Sequence, residues 1–447
     1  MKSGRLKPIG PDAPCRSFNP PELTSRLERN FRYLASQAAK TAAASLDTDR
    51  LAAAVLRLQR GLTGTRQLVE SNQDYMQDPE LLAAYLAYYW TVSYTQASYI
   101  LTQLDYRPRR VLDVGAGPGP FSAAILDFCQ GRLNETRSTT KPATDYSVLE
   151  RLTLCDRSPA ALALARILLT NPAQDSADRN QRHLPLPVID CQTLDLETNT
   201  LPDGSCDLIA FGHSLNEIAA GQPDAPERRL SLLELAVERL APGGILIMLE
   251  PALLQTSRAL IGLRDRLVNR GLELLGPCTT AASCPALQQG ENQTCHEEFS
   301  WTMPPLVATL AAKAGLDRGR VKLCWFAFRR PALKAEGKAI TAAKFTANIS
   351  IAAACSDSAP QPAPDESALY RVVSEAMLNK AGRVRYLLCG PDGRFAFSAK
   401  QDDSQAKAAG FFRLQRGDYL RIRQPEQREN GWGFQASAVI TVVNGLD

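Results

Sequence analysis

The sequence feature that most constrains the fold is a glycine-rich segment at residues 111–120, which reads VLDVGAGPGP. A short apolar run ends in Asp113, and glycines follow at alternate positions, Gly115, Gly117 and Gly119. The next residues have the apolar periodicity of a helix. This order predicts a strand, a tight turn and a helix N-terminus. Bare backbone can approach a ligand there, because glycine has no side chain and tolerates positive φ.

The spacing of these glycines separates two classes of nucleotide cofactor. The dinucleotide fingerprint G-x-G-x-x-G requires a third small residue three positions after the second glycine. This chain has Pro120 at that position and follows the pattern G-x-G-x-G instead. The segment therefore points away from nicotinamide dinucleotides and towards S-adenosylmethionine (SAM).

Length and composition indicate a multidomain globular protein. The chain has 447 residues, 45% apolar and 22% charged, which suits two or three domains. A net charge of +4 neither demands nor excludes a nucleic-acid partner. No apolar run approaches the roughly 18 residues of a membrane span, and the basic N-terminus lacks the apolar core of a secretory signal. We therefore expect no membrane partner and a cytoplasmic location. Eleven cysteines then indicate core residues or metal ligands rather than disulfides.

Changes in periodicity divide the chain into four parts. Residues 1–106 form a helical N-terminal region, and residues 107–335 alternate strands with helices, as a doubly wound sheet does. Within the second part, residues 131–146 are polar and without period, which predicts a surface insertion. The predicted strands of this sheet are Val111–Val114, Leu152–Cys155, Val188–Cys191, Leu208–Phe211, Ile245–Leu249 and Leu323–Phe328.

The C-terminal part has a different character. Residues 336–366 contain a proline- and serine-rich stretch and are predicted to be a linker. Residues 367–447 are predicted to be a small antiparallel β module, because short branched or alternating runs are separated by glycine-bearing turns. The predicted strands of this module are Val384–Cys389, Phe395–Ser398, Tyr419–Arg423 and Val439–Val443.

The helical region ends in a segment rich in aromatic residues, Leu81 to Leu104. Such a helix can present a stacking platform for RNA bases. It can also pack on the following domain, because aromatic side chains supply large buried areas wherever helices dock. We favour packing.

Four features occur in the order that a class I SAM-dependent methyltransferase requires. After the glycine turn, Asp113 at the strand end can organise that turn and the amino-acid end of the ligand. Asp156 ends the second strand, where a carboxylate can accept hydrogen bonds from ribose hydroxyls. Asp195 follows the third strand and could accept a hydrogen bond from the adenine amine. The fourth strand leads into the loop that holds His213 and Glu217, which borders the reacting methyl group.

No catalytic residue is assigned from the sequence. Methyl transfer to nitrogen or oxygen needs positioning and in some cases a base, and often no covalent residue. His213 and Glu217 are the nearby titratable residues, and for each a structural role is favoured over a role as base. The sequence thus predicts a SAM pocket without deciding whether the protein is an enzyme.

Three cysteines, Cys278, Cys284 and Cys295, lie within 18 residues of one another in a small, polar, glycine-bearing loop at residues 276–296. Closely spaced thiolates select zinc or an iron–sulfur cluster, and the spacing does not discriminate between them. A fourth ligand is needed. Cys389 precedes a Gly-Pro-Asp-Gly turn and is favoured over two alternatives: His296, which adjoins the third cysteine, and Cys324, which lies in a strand pattern.

The chain resembles a known family at several of these places: the methyltransferase-like proteins of the mitochondrial small ribosomal subunit and their bacterial relatives. The order of the cysteines is the most specific part of this resemblance. The segments that carry it are Gly61-Leu62-Thr63 with Arg66, Ala83 to Tyr89, Val111 to Gly119, Ser214 to Glu217, Leu249-Glu250-Pro251, Gly276-Pro277-Cys278, Cys284-Pro285, Cys295-His296 and Val384 to Lys400.

The resemblance implies a [4Fe-4S] cluster on Cys278, Cys284, Cys295 and Cys389, and a role in maturing the small ribosomal subunit by binding its rRNA near the decoding region. The leading hypothesis is therefore a SAM-binding, cluster-containing factor that acts on small-subunit rRNA or on the assembling subunit. Two alternatives stay open: a non-catalytic assembly factor with a vestigial pocket, and a zinc-stabilised methyltransferase that acts on a protein or a small molecule. The sequence does not specify the target nucleotide or the oligomeric state.

Overall fold

The structure is a computed structural model of the 447-residue chain. It describes residues 7–8, 16–40, 47–70, 74–133, 148–170, 185–198, 200–317, 319–332, 368–429 and 431–443. None of the helices in these ranges combines the length and apolar character that crossing a membrane requires.

The N-terminal region is helical after one short strand, as the sequence predicts. Its last helix is buried on every side, which is why apolar and aromatic residues occur all around it. The elements are β1 (Lys7–Pro8), α1 (Leu23–Lys40), α2 (Thr48–Gln59), a π-helical turn (Arg60–Gly64), α3 (Gln67–Glu70), a 3₁₀ turn (Tyr75–Gln77), α4 (Pro79–Ala84), a second π-helical turn (Tyr85–Tyr89) and α5 (Trp90–Thr102).

The central part alternates strands and helices. Its elements are β2 (Arg110–Val114), α6 (Pro120–Cys129), β3 (Arg151–Asp156), α7 (Pro159–Thr170), β4 (Val188–Thr193), β5 (Cys206–Gly212), α8 (Ala225–Arg239), β6 (Leu240–Glu250), α9 (Leu254–Asn269), β7 (Glu273–Gly276), α10 (Pro285–Gln288), β8 (Glu297–Ser300), α11 (Pro305–Lys313) and β9 (Arg320–Arg329).

The strands of this part form one sheet with the order β4-β3-β2-β5-β6-β9-β7, and β8 also pairs with β9. The first five strands in this order are parallel, and β9 is antiparallel to both of its neighbours in the order. The chain starts at β2, winds outward through β3 and β4, and then returns to β5 on the other side. This is the class I SAM methyltransferase fold, and its topological switch point lies between β2 and β5.

Helices cover both faces of the sheet because alternate residues of each strand point to opposite sides. On β2, Val111 joins a core with α1, α2, α5, α6 and α7, whereas Leu112 joins a second core with α8 and α9. The helical N-terminal region therefore shares one hydrophobic core with the sheet. The boundaries of 1–106 and 107–335 stay a prediction.

A buried ion pair fixes α1 against this core. Arg26 donates from Nη2 and Nε to the Asp127 carboxylate at 2.6 and 2.8 Å, and both side chains are almost fully buried. The hydroxyl of Tyr94 donates to the same carboxylate at 2.7 Å. Asp127 thus joins α1, α5 and α6 in one polar contact, in which the carboxylate is paired as burial of a charge requires.

The C-terminal module is a second sheet with its own core. Its elements are β10 (Tyr370–Val372), β11 (Met377–Leu378), β12 (Arg383–Gly390), β13 (Gly393–Lys400), α12 (Ser404–Ala408), a 3₁₀ turn (Phe411–Arg413), β14 (Tyr419–Arg423), β15 (Glu426–Arg428), β16 (Gly431–Gly433) and β17 (Val439–Val443). The strand order is β15-β16-β13-β12-β10-β14-β17, and β1 joins through β11. Aromatic residues from these strands pack into a core separate from both faces of the central sheet.

Polar contacts dock this module on the cysteine loop. Arg371 on β10 forms a buried ion pair with Glu297 on β8. The hydroxyl of Tyr419 donates to the carbonyl of Pro277 at 3.0 Å, and the amide of Gln289 donates to the carbonyl of Arg394 at 2.8 Å. The module therefore contacts the part of the central domain in which three of the predicted thiol ligands lie.

All the predicted strands are present, most of them within a residue or two of their expected ends. The exceptions are β6 and β9, which begin five and three residues before the predicted starts at Ile245 and Leu323. The strands that were missed are all short: β7 and β8 contain four residues each, and β1, β10, β11, β15 and β16 contain two or three, too few to show a period. The proposed linker and residues 134–146 of the predicted insertion lie outside the described residues. The boundaries of the C-terminal parts stay predictions.

Candidate functional site

A cavity of about 450 Å³ opens at the carboxyl ends of the parallel strands. Its floor includes the glycine turn after β2 and the loops after β3 and β5. Residues of the N-terminal helices and of the segment after β6 form the remaining walls. This is the switch point of the sheet, where open α/β folds bind their ligands.

The glycine turn has the backbone conformation that its sequence predicts. Gly115, Gly117 and Gly119 have φ of 70°, 52° and 73°, which favour glycine. A Cβ on Gly115 would lie 2.3 Å from the Cβ of Ser214, so this glycine allows two loops to pack together. A Cβ on Gly117 would meet nothing within 4 Å, and Gly117 lines the cavity. Gly119 precedes Pro120 at the start of α6 and does not line it.

The acidic residue after β3 is tied to the glycine turn. Asp156 accepts hydrogen bonds from the backbone amides of Gly117 and Ser158, each at 2.8 Å, and it lines the cavity. Burial raises the pKa of this carboxyl above its usual value. Because a carboxylate can accept about four hydrogen bonds, Asp156 retains capacity for two more.

The other two predicted acidic residues take different positions. Asp195 lines the cavity and accepts from the backbone amide of Glu197 at 2.9 Å. Asp113 is fully buried behind the glycine turn, does not line the cavity, and accepts from the hydroxyl of Ser122 at 2.7 Å. Burial raises the pKa of Asp113 to about 7. Asp113 is therefore placed to support the glycine turn from its buried side rather than to contact a ligand.

The loop after β5 carries a strained histidine. His213 has φ of 63°, which is uncommon for a residue with a side chain, and its amide donates to the carbonyl of Leu249 at 2.8 Å. Its Nε2 lies 2.8 Å from Oε1 of Gln96, whose amide nitrogen donates to the carbonyl of Lys322. Burial lowers the pKa of His213 to about 4, so the ring is neutral at pH 7.

The same loop continues into a buried polar cluster. Asn216 donates from its backbone and side-chain nitrogens to Glu250 at 3.0 and 2.6 Å, and it accepts from Arg66 at 3.1 Å. Glu217 lines the cavity beside Tyr75, and burial raises the pKa of this carboxyl to about 7. The resemblance segments at Arg66, Asn216 and Glu250 therefore meet in one place.

The aromatic segment from Leu81 to Leu104 has two roles. Trp90, Tyr94 and Tyr99 are buried in the core, which agrees with the packing interpretation. Tyr85 and Tyr89 are half-buried, stack on each other with centroids 6.0 Å apart, and line the cavity. Sequence reasoning missed this division, because π-helical turns alter which face of the segment each residue occupies.

The four predicted cysteine ligands converge. Cys278, Cys284, Cys295 and Cys389 line one small cavity between the cysteine loop and the C-terminal module. Thr279 donates from its hydroxyl to the carbonyl of Cys389 at 3.4 Å. Cys389 is far from the other three in sequence, and β12 carries it to them. The buried Cys324 also lines this cavity, as does His296.

Arginines surround this second cavity. Arg371 and Arg394 line it, and the Nε atom of each is buried without a hydrogen-bond partner in the described part of the chain. Arg264 on α9 donates to the carbonyls of Thr280 and Ala282 and so shapes the cysteine loop. Burial raises the pKa of the Cys278 thiol to about 12 in this state. Among the described residues, no three His, Cys, Asp or Glu side chains are arranged to hold a single metal ion.

Comparison with known families decides where the chain belongs. A family model described as "Mitochondrial small ribosomal subunit Rsm22" matches residues 80–315, more than half of the chain. The chain belongs to the Rsm22 family. No curated protein sequence matches the chain significantly.

Several solved structures similar to this Rsm22-family chain are methyltransferases. They include the N-methyltransferase NodS of Bradyrhizobium japonicum WM9 with S-adenosylhomocysteine (15% identity, 60% of this chain and 98% of that chain, TM-score 0.32). The plantazolicin methyltransferase BpumL with S-adenosylhomocysteine is 11% identical, over 63% of this chain and 97% of that one, with a TM-score of 0.30. A methyltransferase of Pyrococcus furiosus is 12% identical, over 53% and 82%, with a TM-score of 0.29. Similarity this distant carries no functional argument, and the fold class rests on the strand order described above.

The family model confirms the resemblance found in the sequence. Its description names a mitochondrial ribosome, so it does not support the cytoplasmic location that the sequence analysis expects, which stays a prediction. The roles of the pocket residues and of the four cysteines also stay predictions, now with a defined geometry. Sequence reasoning missed the contributions of Gln96, Tyr85 and Tyr89 to the pocket, because α5 and the turn before it lie far from the glycine turn along the chain.

Proposed function

We propose that this Rsm22-family chain binds SAM in the cavity at the switch point. Gly115 and Gly117 would face the amino-acid end of SAM, Asp156 the ribose hydroxyls and Asp195 the adenine amine. SAM supplies an electrophilic methyl group on a sulfonium. The observation that carries the proposal is the open space beside Gly117, whose backbone amide donates a hydrogen bond to Asp156. A side chain at this position would occupy the space that the ligand needs.

The charge of the cavity supports a cationic ligand. Its lining contains six acidic side chains, of which Glu217 is partly protonated near pH 7, and two cationic side chains, Arg157 and Lys322. A positively charged sulfonium is favoured in such surroundings, because opposite charges attract more strongly where water is excluded. An anionic dinucleotide would be disfavoured for the same reason.

We also propose that Cys278, Cys284, Cys295 and Cys389 hold a [4Fe-4S] cluster. Each thiolate of such a cluster binds a different iron, so the four sulfur atoms do not have to converge on one ion. The unpartnered Nε atoms of Arg371 and Arg394 suit a centre that carries net negative charge and sulfur acceptors. Zinc, which would require these four sulfur atoms to converge on one ion, is the competing assignment.

The partner that we propose is the small ribosomal subunit or its rRNA, which the family description supports. The complete proposal is a SAM-binding, cluster-containing factor that acts during assembly or modification of that subunit. Methyl transfer to rRNA distinguishes an enzyme from an assembly factor with a vestigial pocket.

Two measurements test the cofactors. Calorimetry with SAM should give saturable 1:1 binding, and absence of binding by a folded protein would remove the SAM assignment and favour the vestigial pocket. Anaerobic purification followed by iron and acid-labile sulfide analysis should give about four of each per chain. A colourless protein loaded with zinc would replace the cluster by a zinc site.

A further test addresses the substrate. Small subunits from cells that lack the protein are incubated with SAM that carries a radiolabelled methyl group. Label in the rRNA would show that the protein is an rRNA methyltransferase, and label in a protein would show that its substrate is a protein instead. No label together with intact SAM binding would support a non-catalytic assembly factor.

A further inference from the structure

The outer face of β12 and β13 is basic at the end away from the cysteine site. Along β12 every second residue, including Val384 and Tyr386, is buried in the core of the C-terminal module. Arg383 and Arg385 therefore point outward, and Lys400 lies beside them on β13. We call Arg383, Arg385 and Lys400 the basic face.

The strand register places like charges together on this face. Arg383 is directly opposite Lys400 in the antiparallel pair, and Arg385 follows two residues later on the same side. Like charges directly opposite each other in a sheet destabilise it, so this arrangement costs free energy in the isolated protein. These three side chains have no hydrogen bond or ion pair with the described residues. The Nε atom of Arg385 is also buried without a partner.

Most acidic residues of the module are engaged elsewhere and do not neutralise this face. Asp418 pairs with Arg16, Glu375 with Arg320, and Glu426 with Arg428. Asp392 accepts from the Tyr370 hydroxyl, and Asp403 accepts from two backbone amides at the start of α12. Asp402, two residues after Lys400, is the acidic residue that lies nearest along the chain.

The charge of the whole chain is concentrated in this module. Residues 368–443 contain twelve Lys and Arg against seven Asp and Glu, whereas the complete chain has a net charge of only +4. The remainder is thus close to neutral. An unbalanced positive face on one module is the electrostatic footprint expected of a protein that binds a polyanion.

We propose that the basic face binds the phosphate backbone of RNA. The three cations lie within two residues of one another on paired strands, so they can contact successive phosphates of one strand. Phosphate contacts of this kind position a protein on RNA without reading its sequence. The inference deepens the proposed partnership with small-subunit rRNA by naming the surface that makes the contact.

The face is continuous with the proposed cysteine centre. Cys389 lies on the same side of β12 as Arg385, four residues further on, which is about 13 Å at roughly 3.3 Å per residue. Cys389 is opposite Arg394, and that end of the face docks on the cysteine loop. Docking therefore fixes the orientation of the basic face relative to the SAM pocket.

The test is binding to in vitro transcribed small-subunit rRNA, measured by filter binding at several salt concentrations. The variant carries Arg383→Gln, Arg385→Gln and Lys400→Gln. We expect its affinity to fall about tenfold or more at low salt. The slope of log K against log salt should decrease by about 2, because each lost phosphate contact on single-stranded RNA removes about 0.7.

A matched control removes the same charge from exposed positions outside the module: Arg32→Gln, Arg60→Gln and Arg151→Gln. It should bind rRNA nearly as wild type does. The charge-conserving variant Arg383→Lys with Lys400→Arg should also retain affinity and slope. Thermal denaturation establishes that each variant is folded.

Several outcomes would overturn the inference. These are unchanged binding by the neutralised variant, equal loss in the control, and loss of affinity with an unchanged salt slope. If the neutralised variant binds complete subunits more weakly than wild type but binds naked rRNA equally well, the basic face contacts a ribosomal protein instead of RNA. If the wild-type protein binds neither rRNA nor subunits, both the proposed ribosomal partner and the role of the basic face are refuted. The SAM proposal is tested separately by calorimetry and is not affected by this result.

Discussion

At the scale of single residues, the glycine turn determines the character of the pocket. Gly115 allows close packing against Ser214, whereas Gly117 leaves open space and presents its amide beside Asp156. Two glycines of one motif therefore have different roles: Gly115 allows close packing, and Gly117 leaves room for a ligand. At His213, an uncommon backbone conformation with positive φ places the imidazole ring within hydrogen-bond distance of Gln96.

Gly117→Val should weaken SAM binding by at least about 30-fold, equivalent to roughly 2 kcal/mol. The valine side chain would fill the open space beside residue 117 that the ligand needs. The measurement is calorimetry with SAM. Gly243→Val is the matched control, since Gly243 also has positive φ and open space but does not line the cavity. Equal losses in the two variants would point to backbone strain rather than to the pocket.

His213 should make folding sensitive to mild acid. Its pKa is about 4 when folded and about 6.5 in an unfolded chain. Between these values the unfolded state binds a proton that the folded state does not, so stability is complete above pH 6.5 and falls towards pH 4. His213→Asn removes the titration, and asparagine tolerates positive φ.

Calorimetric Tm values at pH 7 and pH 5 test this expectation. The wild-type protein should lose more stability across that interval than His213→Asn does, because other titrating groups contribute equally to both. Parallel pH profiles would show that the imidazole is not responsible.

At the scale of elements, the N-terminal helices are part of the methyltransferase fold. α5 packs on α6, and Tyr85 and Tyr89 on the turn before α5 help to wall the cavity. The buried pair of Arg26 and Asp127 joins α1 to this arrangement. The helical region therefore holds one side of the pocket in place.

Asp127→Ala should destabilise the protein by about 3–5 kcal/mol, because it leaves the buried Arg26 guanidinium without its partner. Urea denaturation measures this loss. Glu80→Ala, which breaks the exposed pairs with Arg50 and Arg57, is the comparison and should cost less than about 1 kcal/mol. A loss below 1 kcal/mol for Asp127→Ala would show that water or another residue replaces the pair.

At the scale of the whole molecule, the described residues form three hydrophobic cores around two cavities. The central sheet separates two of the cores and forms the pocket at its edge, and the C-terminal module encloses the third. The module meets the central domain at the cysteine site, through the buried pair of Arg371 and Glu297 and the contact of Tyr419 with Pro277.

Cys389→Ser should release the C-terminal module, since we propose that this thiolate connects the module to the cluster. Limited proteolysis should then cleave between residues 332 and 368 several times faster than in wild type. Cys191→Ser, a half-buried cysteine on β4 away from the site, should leave the pattern unchanged. The same digestion rate for Cys389→Ser and wild type would argue that no metal centre connects the module to the central domain through Cys389.

The sequence by itself determined the glycine turn, the longer strands of both sheets and the thiol-rich loop. These features are local: a few consecutive residues carry the period, the turn chemistry or the ligand spacing. It also favoured Cys389 as the distant ligand, because this cysteine adjoins a turn.

Only the tertiary structure decided which distant groups meet. It brought Cys389 to the other three thiols and Asp127 to Arg26, it divided the aromatic segment between core and pocket, and it gathered three cations on one face. Such contacts depend on how separate elements pack and on strand register, and a one-residue shift in register would turn every side chain of a strand to the opposite face. Apart from the alternation that places Arg383 and Arg385 on one side of β12, no local pattern in the chain encodes these contacts.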